Sequence, residues 1–333
     1  MNTAGIIGHS RQIRILDILR RNDDVPQTML FSGKPGIGKK LIARRLLASL
    51  FCSAGDPPCM TCPSCLQAAS GSFPDIIEIG PNEKGVIPIG SGERSEPGSV
   101  RWLIDRLSKK SIWGTFGVLI DGAETIGPGG QNALLKTIEE PQAGAHIILI
   151  TANRSLILPT ILSRCMNLPF SPLAPSEVRE ALAGSGTDAA DPELAAELSG
   201  GSVETALLLA DRSVLEGIEE ICGEIASYLA RGESLRLDLA PLQKQIGMDQ
   251  ILSILITMYR ALMLSNITGT APHPFIARFR PEEGEKLPKL IKILLAVRKG
   301  LANNLNIRNA LKGMLYSMER MNSFGLPELD CTE

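Results

Sequence analysis

Aromatic side chains are scarce in this chain: Phe, Trp and Tyr together make up 4% of its 333 residues. A core of ordinary size must then be mostly aliphatic, which favours a helix-rich protein. Charge of one sign is lacking too. Lys and Arg number 34 against 36 Asp and Glu, a formal net charge of -2. That balance excludes a chain-wide basic field for nucleic acid or anionic membrane, so any such contact must be a local patch. Short basic pairs such as Lys109-Lys110 and Arg44-Arg45 read as solvated helix faces. No apolar run is read as approaching the roughly 18–20 residues of a membrane span. Met1–Ser10 lacks the basic start and apolar stretch of a secretory signal. The expectation is a soluble, cytoplasmic protein with no membrane partner. At about 150 residues per domain, the length suggests two domains, or three small ones.

What is present is unevenly placed. Four of the seven cysteines (Cys52, Cys59, Cys62 and Cys65) fall within fourteen residues, where random scatter would put about 0.3. Without an export signal, disulfides are a poor explanation. The spacing Cys-x6-Cys-x2-Cys-x2-Cys supplies four soft thiolates, enough for a closed, structural tetrahedral site that zinc matches best. Reduced thiols in a loop and an iron–sulfur cluster are the alternatives. Cys165, Cys222 and Cys331 read as ordinary thiols.

Through about residue 170, short β-type runs alternate with helical patterns. The strand-like runs are Met29–Ser32, Asp75–Ile79, Phe116–Ile120 and His146–Thr151, and the helices include Lys39–Phe51 and Gln131–Glu140. Such alternation predicts an α/β module with a mostly parallel sheet covered on both faces. Near Pro169 the pattern changes. Pro172 and Pro175 bracket a linker, and no convincing strand follows. The later helices are read at Asp191–Ser199, Val203–Ala210, Asp249–Leu264, Leu287–Lys299 and Asn303–Arg320. Ile89–Ser99, rich in Gly, Ser and charge, is read as a mobile loop.

Gly33-Lys34-Pro35-Gly36-Ile37-Gly38-Lys39-Lys40 fits the P-loop pattern G-x-x-x-x-G-K, placed between a strand and a helix. The N–H groups of such a loop and helix N-terminus cradle phosphates, and Lys39 reaches the terminal ones. Gly33, Gly36, Gly38 and Lys39 are therefore the candidate nucleotide-binding residues, for ATP or ADP held weakly. The next position should carry a Ser or Thr hydroxyl for Mg²⁺. Here Lys40 offers no acceptor and brings positive charge to where the metal would sit. Gly117-Val118-Leu119-Ile120-Asp121 looks like the Walker B strand, with Asp121 as its metal-directed carboxylate. The glutamate that normally follows is replaced by Gly122, and Glu124 is expected to point elsewhere. On composition alone Arg164, in Ser163-Arg164-Cys165, is a surface arginine.

Together these segments resemble the bacterial DNA polymerase III clamp-loader family of the AAA+ class. The similarity starts at Ile6-Ile7-Gly8-His9, then takes in the P-loop and the cysteine insertion after its helix. Asn132-Ala133-Leu134-Leu135-Lys136-Thr137-Ile138-Glu139-Glu140-Pro141 matches a specific signature of that family. Thr151-Ala152-Asn153-Arg154 matches its sensor 1 region, Ser163-Arg164-Cys165 its Ser-Arg-Cys motif, and Asn304-Leu305-Asn306 its collar pattern. The resemblance implies a P-loop module over residues 1–168, with a zinc insertion near 52–65. A helical lid over 169–211 and an all-α collar over 212–333 would follow. It implies partnership with gamma/tau- and delta-type subunits in a five-membered ring, and with the sliding clamp and primer-template DNA through that complex. It also implies that Arg164 is an arginine finger acting in trans on a neighbour's γ-phosphate.

Within that family a hydrolysing subunit would keep Ser or Thr at 40, Glu at 122 and an arginine in the lid's sensor 2 helix. This chain has Lys40, Gly122 and Glu204. The departures imply a largely non-hydrolysing stator without intrinsic ATPase. An active gamma/tau-type ATPase motor is the alternative. A third reading, an unrelated P-loop kinase or GTPase, leaves the cysteine cluster and Ser163–Cys165 unexplained.

Overall fold

The computed structural model describes residues 5–91, 96–141, 144–231, 240–243, 245–281, 284 and 286–302. The helix read at Asn303–Arg320, the Asn304-Leu305-Asn306 pattern and Cys331 lie outside the described residues, as do residues 92–95 of the loop read at Ile89–Ser99. The chain divides into two compact units between Leu173 and Ala174.

The first unit is built on five parallel strands: β1 (Thr28–Ser32), β2 (Ile76–Ile79), β3 (Gly117–Asp121), β4 (His146–Thr151) and β5 (Met166–Pro169). They lie in the order β2-β3-β4-β1-β5, and every pairing is parallel. Side chains alternate between faces along a strand, so each aliphatic run feeds two cores. Met29, Phe31, Leu119, Ile148 and Ile150 pack on one face with α2 (Lys39–Leu50). Leu30, Val118, Ile120, Ile147 and Leu149 pack on the other with α4 (Val100–Leu107) and α5 (Pro128–Glu139). The unit is completed by α1 (Ser10–Arg21), α3 (Pro63–Ser70) and α6 (Pro159–Leu162).

Strand β5 has no counterpart among the strands read from sequence. Its four residues, Met-Asn-Leu-Pro, carry one polar side chain and a proline, which suits an edge and hides the β signal. Asn167 Oδ1 accepts a hydrogen bond from Ser32 Oγ at 3.1 Å, joining β5 to β1.

Before β2, Asp75 is fully buried. Its Oδ2 accepts the backbone N–H groups of Ile112 and Trp113, each at 2.7 Å, and Arg106 lies 3.5 Å from Oδ1. One carboxylate thus ties the turn before β3 to the start of β2. Asp75→Ala would remove the buried acceptor of two part-buried amide donors and the partner of a guanidinium, an expected loss of about 1–3 kcal/mol. Urea unfolding of the variant measures it, and a change below about 0.5 kcal/mol would contradict this anchoring role.

Among its described residues the second unit contains helices and no strand. It contains α7 (Pro175–Gly184), α8 (Pro192–Leu198), α9 (Val203–Leu209), α10 (Arg212–Arg231), α11 (Ala240–Gln243), α12 (Met248–Thr268), α13 (Pro274–Ala277) and α14 (Lys286–Ala302). Caps explain the short helices. Glu177 reaches back to the N–H of Ala174 at 2.8 Å, Asp191 accepts from Leu194 N at 2.9 Å, and Ser202 from Thr205 N at 3.2 Å. The expectation of no apolar run long enough to cross a membrane does not hold for α12. By length and composition its 21 residues pass that test. Ile251, Leu255, Tyr259 and Leu262 are nevertheless buried, and α12 packs against α14, as a core helix does.

Candidate functional site

The site lies in the first unit, at the carboxyl ends of the strands, where a doubly wound sheet leaves a crevice. The P-loop leaves β1 at Ser32 and enters α2, whose N-cap is Gly38. At Gly33 the chain runs so close to β5 that an added Cβ would meet Phe170 O at 2.4 Å, so only glycine fits. The Gly33 N–H donates to Thr151 O at 3.1 Å, and His9 Nε2 lies 2.6 Å from Ile37 O. Lys39 is buried, with Nζ donating to the carbonyls of Gly33 and Lys34 at 2.6 Å each.

Lys40 lies one residue further into α2. Its Nζ is 3.1 Å from Asp121 Oδ2 at the end of β3 and is also paired with Glu78 Oε1 on β2. Arg44, one helical turn along, donates from Nε and Nη2 to Glu78 Oε2 at 2.9 and 2.7 Å. Partial burial pushes the Lys40 ammonium down, but hydrogen bonds to Glu78 and Asp121 outweigh it and hold its pKa above the usual lysine value. For Glu78, burial pushes up, while hydrogen bonds from Lys40 and Arg44 prevail and hold the carboxyl below its ordinary value. The two carboxylates that face the P-loop helix are thus already matched by two side-chain cations.

Gly122 follows Asp121 with φ +73°, and an added Cβ would meet Pro81 Cγ at 3.1 Å. Glu124 turns away into a short 3-10 turn, where its Oε1 accepts the Ala152 N–H at 2.9 Å. Asn153, in the segment matched to sensor 1, caps the next 3-10 turn by accepting from Ser155 N at 3.1 Å. Glu204, by contrast, belongs to the second unit, exposed in the first turn of α9.

Arg164 follows α6 on the first unit. Its Nη2 pairs with Glu139 Oε1 at 2.7 Å, and its Nη1 donates to Thr160 O at 3.0 Å. Its own carbonyl accepts Thr28 Oγ1 at 2.7 Å, fixing the backbone against β1. The guanidinium is 39% exposed. The partner Glu139 is the last residue of α5, inside the Asn132–Pro141 segment.

The four clustered cysteines come together where the segment after α2 meets α3, three of them before α3 and Cys65 inside it. Their sulfurs all lie within 4.8 Å of one another, and the pairs Cys59–Cys65 and Cys52–Cys62 are 4.0 Å apart. Tetrahedral zinc with bonds near 2.3 Å needs about 3.8 Å between sulfurs, so small shifts complete the site. Cys62 caps α3 and its N–H points at Cys59 Sγ, 3.2 Å away. The protein alone does not ionise these thiols alike. Hydrogen bonds, first from Thr61, pull Cys59 down to about 6, whereas burial pushes Cys65 up to about 12. A four-sulfur group of this kind could hold a metal ion, whose charge would keep all four as thiolates.

Two ion-pair partners, Glu78 and Glu139, are not legible in the sequence. Glu78 was read only as part of an apolar strand, although a single carboxylate amid three isoleucines is a signal of a polar partner. Glu139 was read as part of a signature, with no contact assigned to it.

Comparison with known proteins adds family information to this geometry. The family described as "DNA polymerase III, delta subunit" matches residues 8–174, half of the chain. The DNA polymerase III tau/gamma subunit of Haemophilus influenzae is 30% identical over 235 residues, 68% of this chain and 33% of that protein. The DNA polymerase III delta' subunit of Bacillus subtilis is 31% identical over 176 residues, 51% of each chain. The chain thus spans between a third and a half of the length of these relatives. Among solved structures, a DNA polymerase III gamma subunit-related protein from Thermotoga maritima aligns over 92% of this chain and 98% of its own. Its identity is 18% and its TM-score 0.46.

Proposed function

The chain belongs to the family described as DNA polymerase III, delta subunit, and from that premise we propose that it is the delta-prime subunit of a bacterial clamp loader. In this reading it is a cytoplasmic stator in a five-subunit ring with gamma/tau- and delta-type partners, helping to load the sliding clamp onto primed DNA. It presents Arg164 to the ATP bound by a neighbouring subunit and hydrolyses no ATP itself. The lid over 169–211, the collar over 212–333 and a structural zinc on Cys52, Cys59, Cys62 and Cys65 belong to the same proposal.

One observation carries it: the Lys40 ammonium paired with Asp121, where a hydrolysing P-loop site would pair that carboxylate with a metal. The missing base agrees. Hydrolysis needs a group that orients water, and Gly122 offers none. The tau/gamma relative matches over a longer stretch than the delta' relative, which is what favours the motor alternative. A turnover assay on the purified chain decides between them. The expected rate equals a blank, whereas about one ATP per second, abolished by Lys39→Ala, would assign the motor role.

Restoring the glutamate should not restore turnover. A non-glycine residue in the left-handed conformation costs roughly 1–2 kcal/mol, and the contact with Pro81 adds to it. Gly122→Glu is expected to remain inactive and to unfold at lower urea. An active, equally stable variant would count against this geometry.

A further inference from the structure

Mg²⁺ is the ion a P-loop site ordinarily takes with its nucleotide. The ion needs oxygen ligands at about 2.1 Å, one from the hydroxyl after the P-loop lysine and one from the strand-end carboxylate or a water it holds. Neither condition is met here. Position 40 carries an ammonium, which donates three hydrogen bonds and accepts none. Its Nζ is 3.1 Å from Asp121 Oδ2 and is paired with Glu78. A dication beside that carboxylate would have to displace a cation held by two carboxylates, and would gain no oxygen from residue 40 in exchange. The donor set does not fit magnesium.

The phosphate-binding part of the loop is intact. Gly36 and Gly38 keep the left-handed turns of the loop, Gly38 caps the 12-residue helix α2, and Lys39 lies inside the loop. Positive charge for a polyphosphate is also present without a metal. Lys39, Lys40 and Arg44 supply three cations against the carboxylates of Glu78 and Asp121, an excess of one. An ordinary P-loop with lysine, Mg²⁺ and one aspartate has an excess of two, so attraction is weaker here but does not depend on the ion.

We infer that this P-loop is a metal-independent polyphosphate site: a nucleoside di- or triphosphate binds as the free anion, with the Lys40 ammonium standing where the magnesium ion would. The inference rests on the P-loop reading given above and adds the species that is bound. It has a consequence of definite sign. In solution Mg²⁺ chelates ADP and ATP, so at this site it competes with Lys40 for the phosphates. Magnesium should leave binding unchanged or weaken it, where an ordinary P-loop is strengthened.

The test is calorimetric titration of the full chain with ADP and with ATP, in excess EDTA and in excess Mg²⁺. The dissociation constant is expected to be equal or lower in EDTA. Lys40→Thr, which returns a hydroxyl and frees Asp121, should reverse the order, binding about tenfold or more tightly with Mg²⁺ than without. Lys40→Arg, which keeps the charge and supplies no oxygen ligand, should keep the parent's order and bind no more tightly with Mg²⁺ than without, whatever its absolute affinity, with circular dichroism confirming that both variants fold. Parent binding about tenfold tighter with Mg²⁺ overturns the inference, and so does an absence of saturable binding in both buffers. Neither result bears on the stator role, which is tested separately by turnover and by assembly with partner subunits.

Discussion

Replacing Arg164 by Ala in a reconstituted clamp loader is expected to lower its clamp- and DNA-stimulated ATPase severalfold or more, with the ring still assembled. A finger in trans is worth roughly 10³–10⁵ at the site it serves, because it meets charge that shifts as the phosphoryl group transfers. Only one site of the loader loses its finger, so the effect on the whole complex is smaller than that figure. The isolated chain should hardly notice the change. Arg164 and Glu139 are each about two-fifths exposed, and pairs of that kind contribute about 0.2–1 kcal/mol. On the proposed reading, the same weakness would let the guanidinium leave Glu139 for a triphosphate presented by a neighbour. Its backbone stays in place, since the Thr28 hydroxyl binds the Arg164 carbonyl rather than the side chain. Lys at 164 should rescue only in part, because an ammonium cannot make the planar two-point contact. The measurement is stimulated ATPase of the loader carrying Arg164→Ala, after sizing has shown an intact ring. Unchanged activity there would return Arg164 to an ordinary surface residue.

The cysteine centre carries the second large effect. The reduced protein should contain about one zinc per chain, and Cys62→Ser should lose most of it. Structural zinc in small sites binds with an apparent free energy of about 10–16 kcal/mol at neutral pH, so the ion should survive gel filtration without added metal. The damage in the variant should stay local. Helix α3 has only eight residues, too few to hold together alone. What fixes it is the buried Cys65 and packing on α2. Without the metal, amide exchange and proteolysis should rise across residues 52–70 while the sheet, whose cores do not include this segment, keeps its protection. Elemental analysis and hydrogen exchange read the two halves of the prediction. Wild-type protein with little zinc, or a fully loaded Cys62→Ser, would remove the metal from the account.

Local pattern was enough for much of the first unit. The strands at Met29–Ser32 and His146–Thr151 coincide with β1 and β4 to within a residue, because parallel strands buried on both faces leave unbroken aliphatic runs. Lys39–Phe51 and Gln131–Glu140 show helical spacing and are found as α2 and α5. The cysteine cluster was visible because its spacing is itself the constraint on a chelate. Strand β5 was not legible, since Met-Asn-Leu-Pro becomes a strand only by pairing with β1. Nor was α12 read as long or as apolar as it is; it extends from Met248 to Thr268, ending in a left-handed Gly269.

For the site, sequence alone determined that Lys40 stands where a hydroxyl belongs and that Gly122 stands where a carboxylate belongs. These are statements about residue type at a motif position, and a motif holds them in order along the chain. Where the Lys40 charge goes was decided only in three dimensions. Glu78, inside β2, and Asp121, at the end of β3, are separated from it by 38 and 81 residues, and parallel packing of β2 beside β3 brings both carboxylates to one ammonium. The pairing of Arg164 with Glu139, 25 residues apart, has the same origin. Residue identity is local, but an ion pair between distant segments exists only once the sheet has set its register.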